Sequence, residues 1–391
     1  MTKVSSEAEI LDYVRAARES RTPFEIVAGG TRRAVGKPMG ALSVFDVAGV
    51  SGIIDYQPEE LIITARPGTP LAELKAVLAQ KNQCLGFDPV DWNLFADART
   101  TSAGGTLGGA ASADASGSCR LRHGAARDSL LGFRAVNGFG EVFRGGAKVV
   151  KNVTGFDLPK LVCGAFGTLM VLSELTFRVY PRPLSRATLI LRDLPPEAGF
   201  AALRTIWKSA LEPSGLAYLP AAVKLPALGD IGLKDIGRGA ALIRFEAAQQ
   251  PLSEKLAAAR LLVGAGEEME QGESAFALIG EGALFRDSDL EVWRVTVPPR
   301  EAARIATALN APLWLGDWAG GLLWVGAEAG DALRIRALAA EAGGQAMLLR
   351  APAARRAALG LYAPQAPALA ALTGAVRAAF DPLGLFNPGR L

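Results

Sequence analysis

The 391 residues carry 42 lysines and arginines against 39 aspartates and glutamates, a formal charge of +3, and half of them are apolar. That balance excludes a disordered chain and supplies core enough for two domains, or for one large domain carrying a cap. No basic block of five or more residues occurs, so the electrostatic footprint of a nucleic-acid binder is missing.

In chain order, the first twenty residues, MTKVSSEAEILDYVRAARES, scatter charge through what would be the apolar core of a secretory signal. Nowhere do about 18 apolar residues run together, and the expectation is a soluble, cytoplasmic protein. Ser6 with Glu9 forms a capping box ahead of an amphipathic helix reaching about Arg18. PFEIVAGG then reads as a strand entering a glycine turn, ALSVFDV and LIITARPG read as short strands, and Thr69 with Pro70 supplies an N-cap and first helical position for LAELKAVLAQ. LLGFRAVNGFGEVF predicts a hairpin around Asn137 to Gly140, because asparagine and glycine accept the positive φ of tight turns. TLMVLSELTFRVYPRP closes this half with a long strand and a proline-rich exit, which places a boundary near residue 182.

Beyond it, AALIRFEA, LEVWRVTVP, LWLGDW, GLLWVGAEA and QAMLLR read as strands, with SEKLAAARLLVGA, REAARIATALNA and DALRIRALAAEAG as helices. From Leu290 to Arg350 the order is β-α-β-β-α-β, the split βαβ pattern of ferredoxin-like units. An alanine-rich helix and the turn-rich tail FDPLGLFNPGRL finish the chain.

Three isolated cysteines (Cys84, Cys119, Cys163) and a single histidine, His123, provide neither a structural zinc site nor an iron–sulfur cluster. Redox chemistry therefore has to ride on an organic cofactor. Two glycine turns, Ala28 to Gly36 (AGGTRRAVG) and Ser102 to Gly117 (SAGGTLGGAASADASG), offer unobstructed backbone N–H groups to an anion. Walker A spacing fails, since five residues separate Gly30 from Gly36 and Pro38 replaces the metal-binding hydroxyl. No GxGxxG match exists either, so Rossmann-bound NAD is disfavoured. A ligand gripped by two turns about seventy residues apart in sequence must be long.

Two glycine turns with the tail FDPLGLFNPGRL resemble the flavoproteins of the vanillyl-alcohol oxidase, or PCMH, type. KNVTGFDLPKLVCGAFGTLMVLSELTFRV is similar to a segment of glycolate oxidase and related D-2-hydroxy-acid dehydrogenases, and chain length favours the FAD-binding subunit of bacterial glycolate oxidase. The resemblance implies an α+β protein: a two-lobed PCMH-type FAD-binding domain over 1–182, a smaller ferredoxin-like α+β cap over 183–365, and a helix and tail over 366–391 returning to the FAD domain near the flavin. It implies FAD contacts from Gly29, Gly30, Thr31 and Arg32 in the first loop, and from Thr101, Gly104, Gly105 and Gly108 in the second. Further contacts are implied for Pro89 in DPVDW, for Arg127 and Asp128 after the second loop, for Gly167 to Val171 beside the adenosine half, and for Asn387 in the tail, with Asn152 and Asp157 nearby. Phe166 and Met170 stand where the relatives carry glutamate and glycine.

The first loop continues Thr31-Arg32-Arg33 where covalent attachment would need histidine or cysteine, so the FAD is expected to be non-covalent. His123 is the one histidine able to act as base, but its neighbours match a structural part of the family's flavin domain, and the catalytic residues stay unassigned. Catalytic relatives bind a metal through paired cap histidines; residues 183–391 contain none. The implied function is an FAD-dependent oxidoreductase subunit acting on a CH–OH donor beside a catalytic flavin subunit and an iron–sulfur subunit, reaching a membrane only through those partners. A stand-alone hydroxy-acid dehydrogenase and a scaffold without cofactor are the alternatives. Trp207, Trp293, Trp314, Trp318 and Trp324 are expected in the cap core, some of them at a subunit interface.

Overall fold

The computed structural model describes residues 1–40, 42–92, 104–147, 156–221, 223, 233 and 235–391. They form two compact units: Met1–Ser116 with Gly124–Arg182 and Pro364–Leu391, and Gly117–His123 with Pro183–Ala363. No helix among the described residues is long and apolar enough to cross a membrane.

The first unit begins with α1 (Glu7–Ser20), whose N-cap Ser6 accepts from the Glu9 N–H at 3.3 Å, while the Glu9 carboxylate takes the Ser5 N–H at 2.7 Å. Ile10, Val14 and Ala17, at helical spacing, bury one face of it. Strands β1 (Phe24–Val27) and β2 (Ser43–Asp46) pair in parallel. Phe24 and Phe45 turn into a core shared with Ile10 and Val14, so by strand alternation Glu25 faces the other way. A second, antiparallel sheet has the order β3-β4-β7-β5-β6, from β3 (Ile53–Gln57), β4 (Ile62–Ala65), β5 (Leu130–Asn137), β6 (Val142–Gly146) and β7 (Met170–Arg178). The β5–β6 turn is the expected hairpin, with Gly140 at φ +73°.

Helix α2 (Leu71–Gln80) starts one residue later than its sequence suggests, with Pro70 at the N-cap. The Thr69 hydroxyl is not available to cap it, because it accepts from the Gly52 N–H at 2.9 Å and donates to Arg66 O at 2.7 Å. Helix α3 (Leu107–Ala113) is capped by the Thr106 hydroxyl.

The second unit holds an eight-stranded antiparallel sheet in the order β11-β8-β10-β9-β13-β14-β12-β15. Its strands are β8 (Ser185–Leu191), β9 (Gly215–Pro220), β10 (Gly239–Ala247), β11 (Glu267–Met269), β12 (Glu291–Thr296), β13 (Leu313–Asp317), β14 (Leu322–Ala327) and β15 (Gln345–Arg350). With α6 (Ala302–Leu309) and α7 (Ala332–Glu341), strands β12 to β15 make the expected split βαβ module. The strands β8 to β11, with α4 (Pro196–Trp207) and α5 (Gln249–Val263), make a second copy that sequence patterning does not reveal, and the copies join where Tyr218 of β9 pairs with Gly316 of β13. All four helices cover one sheet face, over Leu189, Ile243, Phe245, Trp293, Val295 and Val325. Trp293, Trp314, Trp318 and Trp324 are buried, whereas Trp207 is partly exposed.

Alternation puts Arg244 and Arg294 on the opposite face of that sheet. The segment 117–123, which the sequence reading places in the first domain, belongs to the second unit. Ser118 Oγ donates to Asp317 Oδ2 at 2.7 Å, Trp318 Nε1 donates to Gly117 O at 3.2 Å, and Arg244 Nη2 lies 2.9 Å from Cys119 Sγ. Arg294 sits over the rings of both Trp318 and Trp324, at 5.2 Å each.

The first unit ends in α8 (Pro367–Phe380) and an ordered tail. Asp381 Oδ1 and Oδ2 accept from the Leu385 and Phe386 N–H groups at 2.9 and 2.8 Å, and burial raises this carboxyl above its ordinary range. The tail then adds to the edge of β1, through Phe24 N–H to Leu385 O at 2.9 Å and Asn387 N–H to Phe24 O at 3.1 Å.

Candidate functional site: a glycine-walled cleft in the first unit

The second glycine loop docks on the turn before α2 by three backbone hydrogen bonds: Leu71 N–H to Gly105 O at 2.9 Å, Leu107 N–H to Thr69 O at 3.0 Å and Gly108 N–H to Pro67 O at 2.8 Å. That docking brings it against the first loop. A Cβ built on Gly29 would overlap Gly104 O and stand 3.3 Å from Thr106 Cγ2, so only glycine permits the approach. Gly30 and Gly104 take φ of +75° and +71°, the left-handed region. Two turns distant in sequence thus meet in space.

Behind them opens a cleft. Its walls are the end of β1 with Gly29, Gly30, Thr31 and Arg32; Gly108 and Gly109 of α3; Gly167 and Val171 at the start of β7; and Asn387. Of the residues the resemblance singles out, Gly29, Gly30, Thr31, Arg32, Gly108, Gly167, Met170, Val171 and Asn387 are brought to one cavity. Gly104 and Gly105 form the loop contact behind it, with a Cβ on Gly105 overlapping the Asp91 carboxylate.

Pro89, Arg127 and Asp128 have other surroundings. Pro89 bridges to Ser116 and its carbonyl accepts from Lys75 Nζ at 3.3 Å. The Arg127 N–H donates to Asp114 Oδ1 at 3.1 Å, and Asp128 Oδ2 accepts from the Ala125 N–H at 2.8 Å, so this pair braces the chain after α3. Thr101 and Asn152 lie outside the described residues; Asp157 pairs with Lys160 at 2.8 Å. His123 closes a short helical turn of the second unit, Arg120–His123, where its N–H donates to Cys119 O at 3.0 Å.

Asn387 ties two walls of the cleft together. Its Oδ1 accepts from the Ile26 N–H at 2.8 Å, and its Nδ2 donates to Phe166 O at 2.9 Å and Gly167 O at 3.4 Å. Gly167, at φ +67°, would put a Cβ 2.8 Å from that Nδ2. Arg32 is buried beside the cleft, its Nη2 donating to Val90 O and its guanidinium 5.6 Å from the Trp92 ring centre.

Two lining residues escape sequence reasoning. Glu25, 3% exposed, accepts from Arg33 Nε at 3.0 Å and Nη2 at 2.6 Å, an ion pair that raises the Arg33 pKa. Arg390 donates from Nη2 to Arg32 O at 2.6 Å and places Nη1 3.6 Å from Glu25 Oε1. Glu25 carries no signal in the sequence, since an acid between Phe24 and Ile26 is the ordinary water-facing position of an alternating strand. Arg390 carries none either.

The cleft fits a dinucleotide on its own geometry. A Cβ on Gly29 or Gly108 would strike Gly104 O or Pro67, the floor is apolar at Val47, Met170 and Val171, and the charged rim is basic. Comparison with known proteins agrees. Residues 1–146 match the family described as an FAD binding domain. Over 98% of its length the chain is 31% identical to the glycolate oxidase subunit GlcE of Escherichia coli (strain K12), 96% of which is covered. It is 24% identical, over 66% of its length, to the glycolate oxidase subunit GlcD of Bacillus subtilis (strain 168), 56% of which is covered. The solved structure of p-cresol methylhydroxylase superposes with a TM-score of 0.71 over 100% of this chain and 88% of that one, at 14% identity, a likeness of fold.

Proposed function

The chain belongs to the GlcE family of FAD-dependent oxidoreductase subunits, and from that premise we propose that it is the FAD-binding subunit of a glycolate oxidase complex whose substrate is oxidised on a partner. The partners of this reading are a catalytic flavin subunit and an iron–sulfur subunit. Its chief support is the meeting of the two glycine turns beside one cleft of the first unit, while residues 183–391, without a single histidine, lack the paired ligands of a metal-assisted hydroxy-acid site.

When bound, FAD supplies hydride-accepting chemistry. The chain's own residues would bind and orient it: the turn Gly29–Gly30–Thr31 would hold the diphosphate from one side, with Gly108 and Gly109 at the start of α3 on the other. With Thr31 and Arg32 where a histidine or cysteine would be needed, the flavin is held without a covalent bond.

The test is to purify the chain alone and with its partner subunits, and to add glycolate without oxygen. The isolated chain should be yellow, keep its colour with glycolate and release its flavin on acid precipitation; the assembled complex should bleach. Bleaching of the isolated chain would overturn the division of labour.

A further inference from the structure

The charged residues lining the cleft are Arg32, Arg33, Arg390 and Glu25, so three guanidinium groups against one carboxylate leave two positive charges at the cavity. A diphosphate diester carries one negative charge per phosphate, as each phosphate of a nucleic-acid backbone does, and matches that excess. The arginines differ in how they are held. Arg32 leans on Trp92 and Val90 O, and Arg33 is half exposed on Glu25. Arg390 is buried and comes from the tail, two residues beyond Pro388.

The tail is built to deliver Arg390. Its N–H donates to Asn387 O at 3.2 Å, its carbonyl accepts from the Lys37 N–H at 3.3 Å, and a Cβ on Gly36 would stand 2.7 Å from that same carbonyl. The backbone is therefore fixed, and the long side chain is aimed by Arg32 O and the Glu25 carboxylate. A free arginine side chain gives up rotamer entropy when it is immobilised, and a fixed carboxylate meets that cost before any ligand arrives.

Resting on the FAD reading of the cleft, we propose that Arg390 is a diphosphate-binding residue for the cofactor and that Glu25 is the positioning residue that holds it. The role of Glu25 makes a prediction of sign. Replacing it by glutamine raises the excess at the cleft from two positive charges to three, so a carboxylate that merely balanced charge would, once removed, leave FAD bound more tightly. A positioning carboxylate, once removed, leaves FAD bound more weakly despite the added positive charge.

The experiment titrates FAD into the whole apoprotein at low and high salt, with the thermal midpoint of each apoprotein as the measure of folding. Arg390→Gln should raise the FAD Kd about tenfold, the loss of one charge-assisted hydrogen bond, and flatten its salt dependence. Arg390→Lys should recover the salt dependence and only part of the affinity, since a point charge lacks the guanidinium fork. Glu25→Gln should weaken FAD about fivefold or more. Glu25→Asp, measured alongside, keeps the charge, draws the carboxylate back by one methylene, and should weaken FAD while sparing the salt dependence. Tighter or unchanged binding in the Glu25 variants overturns the positioning role, and an unchanged Kd in Arg390→Gln overturns the binding role. A wild type that takes up no FAD sinks the reading of the cleft and this inference with it, whereas normal uptake with all variants unchanged sinks the inference alone.

Discussion

Asp317 gives the sharpest test of the second unit. Its carboxylate is fully buried, accepts from the Ser118 hydroxyl and the Trp318 N–H at 2.7 Å each, and feels the positive charges of Arg244 and Arg294. Desolvation outweighs all of these, and its pKa is raised from 3.8 to about 6. The fold thus prefers the protonated acid: the stability tied to this group is fully present below pH 3.8 and is lost as pH rises through about 6. At about 1.4 kcal/mol per pKa unit, a shift from 3.8 to about 6 makes the charged form cost about 3 kcal/mol at neutral pH. Asp317→Asn cannot ionise, and its amide can still accept from Trp318 N–H and donate to Ser118 Oγ. Chemical denaturation of both proteins across this pH range should therefore show the variant more stable by up to about 3 kcal/mol above pH 6, the gap closing toward pH 4. A difference that stays flat across that window, or a variant destabilised at pH 7, would refute the argument that burial governs this carboxyl.

Gly29→Ala forces a methyl group into Gly104 O, so the loops must part; an overpacking cost of about 1–3 kcal/mol should appear as at least a several-fold rise in the FAD Kd, read by titration of the apoprotein. Asn387→Ala removes the bonds to Ile26, Phe166 and Gly167, and at about 1 kcal/mol each should lower stability by about 2–3 kcal/mol in denaturant unfolding. His123→Ala should leave both flavin content and glycolate turnover of the assembled complex intact; turnover lost with flavin retained would make His123 catalytic.

What the sequence discloses and what it hides divide along the range of the contacts. The hairpin at Asn137, the capped first helix and the module over β12 to β15 are specified by neighbours a few positions apart, through turn chemistry, capping and periodicity. The companion module is not, because β9 is buried on both faces and reads Gly-Leu-Ala-Tyr-Leu-Pro without alternation. The membership of residues 117–123 is equally hidden: Ser118 meets Asp317, and Leu121 packs into the helix-covered core, across about two hundred positions. In the cleft, glycines are legible because their reason for being there is local, a backbone that must stay bare. Glu25 and Arg390 are charges whose meaning appears only when β1 and the tail are adjacent.

That adjacency has a consequence for how the site comes into being. The first unit is discontinuous in sequence, with its cleft walled by β1 near residue 25, by α3 near 108, by the start of β7 near 167 and by the tail at 387 and 390. The tail hydrogen-bonds to both ends of Phe24, bridges Ile26 to Phe166 through Asn387, and sets Arg390 against Glu25. Contacts of such separation are the costly ones to form, since the loop they close spans nearly the whole chain. The cleft is therefore complete only once the tail has docked on β1. Ligand binding that selects this closed arrangement adds its free energy to the stability of the tail.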